Sequence, residues 1–379
     1  MKEIKGIAHN ITTTILGKIT LNGKNIFCRK DEILVAKGLT NIPRGYLAVI
    51  TDTDINTDRC YVNGIEHFNT FCEGDVISIN PQGGISFLYE HKSIHNAVFV
   101  TERCNHRCIM CPQPPVAKEN DKTEFNLKLI SLFDRHTKSV GITGGEPTMI
   151  GDKLFDIIRQ IKKHCPQASL DMLTNGVKFS KWDYAVKLAR CNHADFQIDI
   201  PIFSDVPYEH NRIVGAKTFY KTVQGIYNLA RLNQKIGIRI VVHKQTYKRL
   251  PQLANYIYHN FPFVCQVAFL QMETTGLAKD NLIDLWIDPY DYNKQLQEAV
   301  TLLDNRGIPV YIYNAQLCVL PSNLRPYAMQ SITDWKDGFL PECEGCGLRD
   351  KCAGVFVTNG KNISTHIKRI ECTDSVQSD

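Results

Sequence analysis

The sequence predicts an α/β fold built on a parallel sheet, and three observations carry the prediction. From about residue 95 to about 275, six strand-like runs alternate with amphipathic helices. The preceding stretch holds short β-rich runs separated by turn signals, and the last hundred or so residues exchange apolar periodicity for clustered cysteines. Alternating β and α units bury a sheet under its crossover helices, either doubly wound or curved into a barrel.

The elements follow in order. In the first part the runs Ile11–Leu16, Tyr46–Ile50 and Val76–Ile79 read as strands, broken at Asn22-Gly23, Asn63-Gly64 and Pro81–Gly84. This is a small β domain without a catalytic motif. The six strands of the second part are Asn96–Val100, Val140–Thr143, Ser169–Leu173, Ala194–Ile200, Gly237–Val242 and Val264–Leu270. Between them the 3.6-residue period appears at Phe125, Leu129, Leu132 and Phe133, at Leu154, Ile157, Ile158 and Ile161, and at Phe219, Val223, Ile226 and Leu229. A helix with Tyr292, Leu296, Ala299, Val300 and Leu303 on one face, then a strand-like Val310–Tyr313, reads as a small extension. The division is 1–93, 94–275 and 276–379.

Composition bounds the function. The chain has 379 residues, 44 basic against 39 acidic, for a net charge of only +5, which argues against nucleic acid as the partner. The N-terminus lacks the apolar core of a signal peptide, and no window reaches the ~18 apolar residues of a membrane span. A cytoplasmic protein is expected. In that compartment the 14 cysteines suit metal ligation better than disulfides.

Seven cysteines form two groups. Cys104, Cys108 and Cys111, spaced CxxxCxxC, follow the first strand of the alternating series and supply three thiolates without a fourth. A cubane iron–sulfur cluster held by three thiolates keeps one iron open to another ligand. Zinc sites are normally closed by four ligands, so this triplet would need a distant fourth donor. Cys318, Cys343, Cys346 and Cys352 form the second group, and four thiolates serve either a closed zinc site or a fully ligated cubane. Cys28, Cys60, Cys72, Cys165, Cys191 and Cys265 read as small buried hydrophobes, and Cys372 as a spare thiol or substitute ligand.

Two further loops join the first cysteine group. Gly144-Gly145-Glu146-Pro147 follows the second strand, where paired glycines admit a ligand close to the backbone and a carboxylate stands ready to accept from an ammonium group. Thr174-Asn175-Gly176 follows the third strand. In barrels of this type the loops after the strands build the active site.

CxxxCxxC, GGEP and TNG on successive loops resemble the radical S-adenosylmethionine (SAM) superfamily. The resemblance implies a partial (β/α)6 TIM-like barrel. It also implies that Cys104, Cys108 and Cys111 hold a [4Fe–4S] cluster whose open iron is chelated by SAM. Gly144, Gly145, Glu146 and Pro147 would then contact the methionyl amine, and reductive cleavage would yield a 5′-deoxyadenosyl radical. By the same resemblance Asn175 is a candidate SAM contact, as is Ser204, in a segment similar to those that meet the SAM ribose. Local turn bonding is the bland reading of both. Met110, where the family often has an aromatic residue, would pack on adenine. Arg239 and His243 alternate to one strand face; an ordinary ion-paired or surface role is the first reading of both, with a lumen-facing position as the alternative.

The second cysteine group resembles the SPASM and twitch extensions of peptide-modifying members, and implies one auxiliary [4Fe–4S] cluster. Longer runs, Thr101–Asn105, Met110–Pro115, Thr275–Asn281 and Leu285–Tyr292, resemble the C-component maturase of the His-Xaa-Ser peptide system. That resemblance implies a ribosomally made precursor peptide as substrate and a second radical SAM maturase as partner, with a flavodoxin or ferredoxin as electron donor. A radical SAM enzyme acting on a nucleobase or RNA and a zinc-binding non-enzymatic module are the alternatives. No catalytic acid or base is identified.

Overall fold

The structure, a computed structural model, describes residues 2–23, 29–330 and 337–371. Cys28, Asp334, Trp335 and Cys372 lie outside the described residues.

The first sheet comprises β1 (Glu3–Lys5), β2 (Ile7–His9), β3 (Ile15–Thr20), β4 (Glu32–Val35), β5 (Ala48–Ile50), β6 (Tyr61–Asn63), β7 (Val76–Ile79) and β8 (Gly84–Tyr89). Their order is β1-β8-β7-β3-β4-β5-β6-β2, with parallel pairs from β3 to β6 and antiparallel pairs elsewhere. The run expected at Ile11–Leu16 begins later, at Ile15, because Ile15–Ile79 and Lys18–Val76 set its register against β7. This sheet docks on the rest of the chain through Tyr89, whose ring stacks on Phe133 at 4.5 Å and whose hydroxyl bonds Thr137 Oγ1 at 3.0 Å.

The second sheet carries the function. β9 (His95–Phe99), β10 (Ser139–Thr143), β11 (Ser169–Leu173), β12 (Phe196–Pro201), β13 (Lys235–Val242), β14 (Gln266–Gln271), β15 (Val310–Tyr313) and β16 (Ala328–Met329) lie side by side in chain order, every pair parallel. A doubly wound sheet would reverse its order at a switch point. Strictly sequential order makes a curled wall, so the fold is a partial TIM-like barrel. Two strands more than the expected six belong to it, since β15 pairs with β14 and β16 with β15. Val310–Tyr313, expected in a small extension, is therefore a wall strand.

The helices α1 (Thr123–Ser131), α2 (Lys153–His164), α3 (Trp182–Ala189), α4 (Pro207–Val214), α5 (Phe219–Arg231), α6 (Leu250–Asn260), α7 (Leu277–Asp280), α8 (Leu282–Leu285) and α9 (Asn293–Asp304) follow between strands. One buried cluster joins Leu170, Met172, Ile198, Ile200, Ile236, Ile238 and Ile240 of the wall to Leu154, Ile157, Ile158 and Ile161 of α2 and to Ile226 and Leu229 of α5. Burying each such side chain stabilises the fold by roughly 1.5–3 kcal/mol. The α1 stripe is shifted from expectation. Phe125 is exposed, while Asn126, Leu129 and Ile130 turn inward and Asn126 Nδ2 donates to Phe99 O at 3.2 Å. Among the described residues no helix is long and apolar enough to cross a membrane.

Candidate functional site

The loop after β9 carries Cys104, Cys108 and Cys111, and non-cysteine atoms hold its shape. Arg107 N donates to Val214 O (2.9 Å) and Ile109 N to Ile213 O (3.0 Å), which hangs the loop on the end of α4. Leu277 N donates to Cys111 O and Asn281 Nδ2 to Ile109 O, adding a second anchor from α7 and the residue after it. Between the first two cysteines, Asn105 Oδ1 accepts from Asn175 Nδ2 at 2.6 Å and the His106 ring bonds Thr218 Oγ1 at 2.9 Å. Burial pushes the His106 ring down to about 4, so it bonds as a neutral imidazole. The spacing motif conceals these two residues, which are anchors and not ligands.

The three thiols lie near one another. Burial, with smaller contributions from Glu146 and Cys111, pushes Cys104 up to about 11; burial and then Cys111 and Cys104 push Cys108 up to about 12. A cationic metal centre supplies the charge that three buried thiolates need. The donor set is therefore chemically suited to a thiolate-bound iron–sulfur group.

The GGEP loop fits against the root of the cysteine loop because it lacks side chains there. A Cβ on Gly144 would stand 2.4 Å from Thr101 O, and one on Gly145 2.4 Å from Arg103 O. In their absence Gly145 N bonds Thr101 O (2.7 Å) and Glu146 N bonds Arg103 O (2.8 Å). Glu146, only 1% exposed, accepts from Thr148 N (3.0 Å), Thr148 Oγ1 (2.7 Å), Thr174 Oγ1 (2.7 Å) and Asn175 N (2.7 Å). A carboxylate has about four lone-pair sites. Three of these bonds fall on Oε1 and one on Oε2, and together they lock the loops after β10 and β11 to each other. Pro147 opens the short 3-10 turn Pro147–Ile150 that Glu146 caps.

The other expected contacts divide. Asn175 joins the site, since its side chain bridges to Asn105 and accepts from Val177 N at 3.1 Å. Asn175→Ala is expected to raise the rate of iron loss to a chelator about tenfold, as loss of outer-shell support does elsewhere; stopped-flow absorbance of the holoprotein measures it. Ser204 is 2% exposed, donates to Glu209 at 2.7 Å and accepts from Val206 N at 3.1 Å, which is the local turn bonding of a loop hydroxyl. Met110 is buried in an apolar cluster with Phe203, Ile213, Val214, Met272, Ala278 and Leu285 and is covered by protein. His243 is buried, its Nδ1 accepting from Gln245 N at 3.2 Å, and burial holds it down to about 3. Neither residue presents a surface to solvent.

The second cysteine group assembles in the last part of the chain. β17 (Asp337–Gly338) and β18 (Val355–Phe356) pair antiparallel and pinch off a loop that contains Cys343, Cys346 and Cys352. Gly354, at φ +67°, makes the pinch, because a Cβ there would sit 2.5 Å from Gly338 O. Cys318 arrives from the loop after β15. All four cysteines line one small cavity, with Phe339, Leu348, Val355 and Ile370 among its apolar walls. Cys352 Sγ accepts from Leu317 N (3.5 Å) and Gly354 N (3.4 Å), and burial nonetheless pushes its thiol up. Among the described residues no three ligands gather around a point that would hold a single metal ion.

The tail then returns to the barrel. Asn359 Oδ1 accepts from Thr274 N (2.8 Å), Asn362 O from Trp286 Nε1 (3.3 Å) and Asp288 Oδ2 from Thr365 N (3.0 Å). These bonds bring the cysteine-rich part against the C-terminal ends of β13 and β14, where a small cavity is lined by Val242, Gln271, Met272, Trp286, Tyr292 and Asn359.

The inner face of the wall is polar, where a closed barrel packs layers of branched apolar residues. Asp171, Gln197, Arg239, Gln266, Tyr311 and Tyr313 are all partly exposed there, and Asp199 is buried among them. Arg239 lies half-buried on this face. The aspartates had no motif to announce them; strand alternation around Leu170 and Met172 was the one available signal.

Residues 98–257 match the profile of the Radical SAM superfamily. The chain is 31% identical to the tungsten-containing aldehyde ferredoxin oxidoreductase cofactor-modifying protein of Pyrococcus furiosus, over 69% of this chain and 89% of that one. It is 30% identical to a GTP 3′,8-cyclase of Petrotoga mobilis over 34% of this chain, and spans 40% of that enzyme's length. Among solved structures, SuiB of Streptococcus suis bound to S-adenosylmethionine superposes with a TM-score of 0.47 at 15% identity, covering 59% of this chain and 50% of that one.

Proposed function

Because the chain belongs to the radical SAM superfamily, we propose that it is a peptide maturase that modifies a ribosomally made precursor of the His-Xaa-Ser type in the cytoplasm. Cys104, Cys108 and Cys111 would hold the [4Fe–4S] cluster that binds SAM, with Gly144–Pro147 and Asn175 around it. Cys318, Cys343, Cys346 and Cys352 would hold one auxiliary [4Fe–4S] cluster. When bound, the cluster and SAM supply one-electron reductive cleavage of the sulfonium and abstraction of a hydrogen atom. The chain's own contribution is to fix the thiols through Asn105 and His106, to lock the neighbouring loops through Glu146, and to present the inner wall to substrate.

The observation that carries the peptide reading is the four-cysteine cavity carried against the barrel end by the bonds of Asn359 and Asp288. It supports an extension of the SPASM or twitch type, and the motif runs at Thr101–Asn105 and Leu285–Tyr292 support the narrower assignment. A flavodoxin or ferredoxin as electron donor and a second radical SAM maturase as partner belong to the same proposal. The test is anaerobic incubation of reconstituted protein with SAM, dithionite and a synthetic His-Xaa-Ser precursor. Peptide-dependent release of 5′-deoxyadenosine and a mass change in the peptide are expected; an unmodified peptide beside continued SAM cleavage would sink the assignment.

A second reading has its own support. Relatives include a GTP 3′,8-cyclase and a cofactor-modifying protein, which favours a nucleotide or cofactor as substrate. The same assay with GTP in place of peptide separates the two.

A further inference from the structure

We propose that Asp171 receives a cationic nitrogen head group of the substrate, an imidazolium, ammonium or guanidinium, on the inner face of the half-barrel, with Asp199 and Arg239 setting the charge around it. The inference rests on the peptide reading and names the side-chain chemistry that reading leaves open.

Position comes first. Asp171 stands on β11 opposite Gly141 of β10 and Gln197 of β12. Its neighbours Leu170 and Met172 are buried under the helices, so alternation turns Asp171 to the inner face. It lies three residues before Thr174, about 10 Å below the loops that face the cysteines at ~3.3 Å per residue. That distance accommodates a side chain inserted from the open end.

Availability distinguishes the two aspartates. Asp199 is 5% exposed and accepts from Gln197 Nε2 at 2.9 Å. Asp171 has a side chain 28% exposed, and the nearest ionisable partner within 4 Å among the described residues is the His95 ring, with Nδ1 at 3.8 Å, beyond hydrogen-bond distance. Among the described residues no donor bonds its carboxylate. Arg239 acts electrostatically on both aspartates, yet among the described residues it bonds neither. An internal ion pair would have closed on itself; Asp171 and Arg239 remain apart and half-open beside a buried Asp199.

Glycines make the room. A Cβ on Gly141 would stand 3.2 Å from Asp171 Oδ2 and 3.0 Å from His95 Nε2, and one on Gly237 would overlap Asp199 Oδ1 at 2.0 Å. The charge balance then selects the ligand's sign. Burial lowers His95 and so disfavours its cation, which leaves the Arg239 guanidinium beside two aspartates that burial raises and a further cation would ionise. Burial, and then Asp199, push Asp171 up to about 7, so an arriving cation draws it into its ionised form.

The test is anaerobic calorimetry of the holoprotein with SAM, at roughly pH 6.5 where imidazole is about half protonated. The probes are a capped three-repeat His-Ala-Ser peptide and the same peptide with glutamine for histidine. The wild type is expected to prefer the histidine peptide about tenfold, the scale of a hydrogen bond to a charged group, and Asp171→Asn to bring the two affinities together. Equal binding of both peptides by the wild type, or an unchanged preference in a folded Asp171→Asn protein, would overturn the inference alone. Binding of neither peptide would overturn the peptide reading and this inference with it. Should Asp171→Asn melt, Arg239→Gln decides: loss of the competing cation sharpens the preference for histidine, and a weaker preference would count against the proposal.

Discussion

Cys108→Ala combined with Cys111→Ala is expected to remove about half the iron, about four of about eight atoms per chain, and all reductive cleavage of SAM. Cys346→Ala combined with Cys352→Ala is expected to remove a similar share while SAM is still cleaved and peptide modification is lost. The reason is the separation of the two thiol groups. One is strung on the loop after β9, held by α4 and α7; the other rings a cavity built by β17, β18 and the loop after β15. Losing two of three ligands leaves the first centre a single thiolate, and losing two of four opens the second to solvent. Iron and acid-labile sulfide analysis with quantified 5′-deoxyadenosine reads both outcomes. Equal loss of SAM cleavage in the two variants would contradict the division of labour. An iron content near zero with stoichiometric zinc would return the protein to a structural metal module.

Glu146→Leu is expected to lower the unfolding free energy by about 3–5 kcal/mol, a size reserved for broken buried networks. Four donors on three residues converge on this carboxylate, and leucine leaves Thr148 N, Thr148 Oγ1, Thr174 Oγ1 and Asn175 N without their acceptor in a buried setting. Each costs roughly 1–3 kcal/mol when stranded, and relaxation of the hydroxyls keeps the total below the sum. Glu146→Gln retains one acceptor oxygen but turns an amide toward donors, so about 1–3 kcal/mol is expected. Urea denaturation of the apoprotein gives both values. The iron–sulfur site follows, because Asn175 is held by Glu146 and itself holds Asn105 in the cysteine loop. A Glu146→Leu protein as stable as the wild type would mean that the carboxylate is not the lock described here.

Much of this site was legible because its chemistry depends on spacing. CxxxCxxC, GGEP and TNG occupy successive loops, and the strand order that brings them together is sequential. The helices of the wall were legible for a related reason, since Leu154, Ile157, Ile158 and Ile161 cannot all be buried on any other period. Phe125 shows where such reading stops. The stripe 125, 129, 132 was apolar enough to be the inner face, yet Asn126 found a bond at Phe99 O and rotated the phenylalanine outward. The six-strand expectation failed at Val310–Tyr313 because an isolated β run carries no mark of the sheet it will join.

By itself the sequence determined which groups can do chemistry: seven cysteines in two spacings, a glycine pair, and the 2.0 and 3.6 periods that separate wall from helix. These are local properties, carried by neighbours along the chain. Tertiary structure decided what each group is free to do. Glu146 carries the right atoms for a ligand and accepts from donors on the loop after β11, while the Ser204 hydroxyl donates to Glu209 within its own segment. Asp171 has no motif and is left open by a sheet that curls around it. A hydrogen bond or a half-buried charge depends on which strands become neighbours, and pairing across tens of residues is set by packing of the whole wall, which no short window of sequence contains.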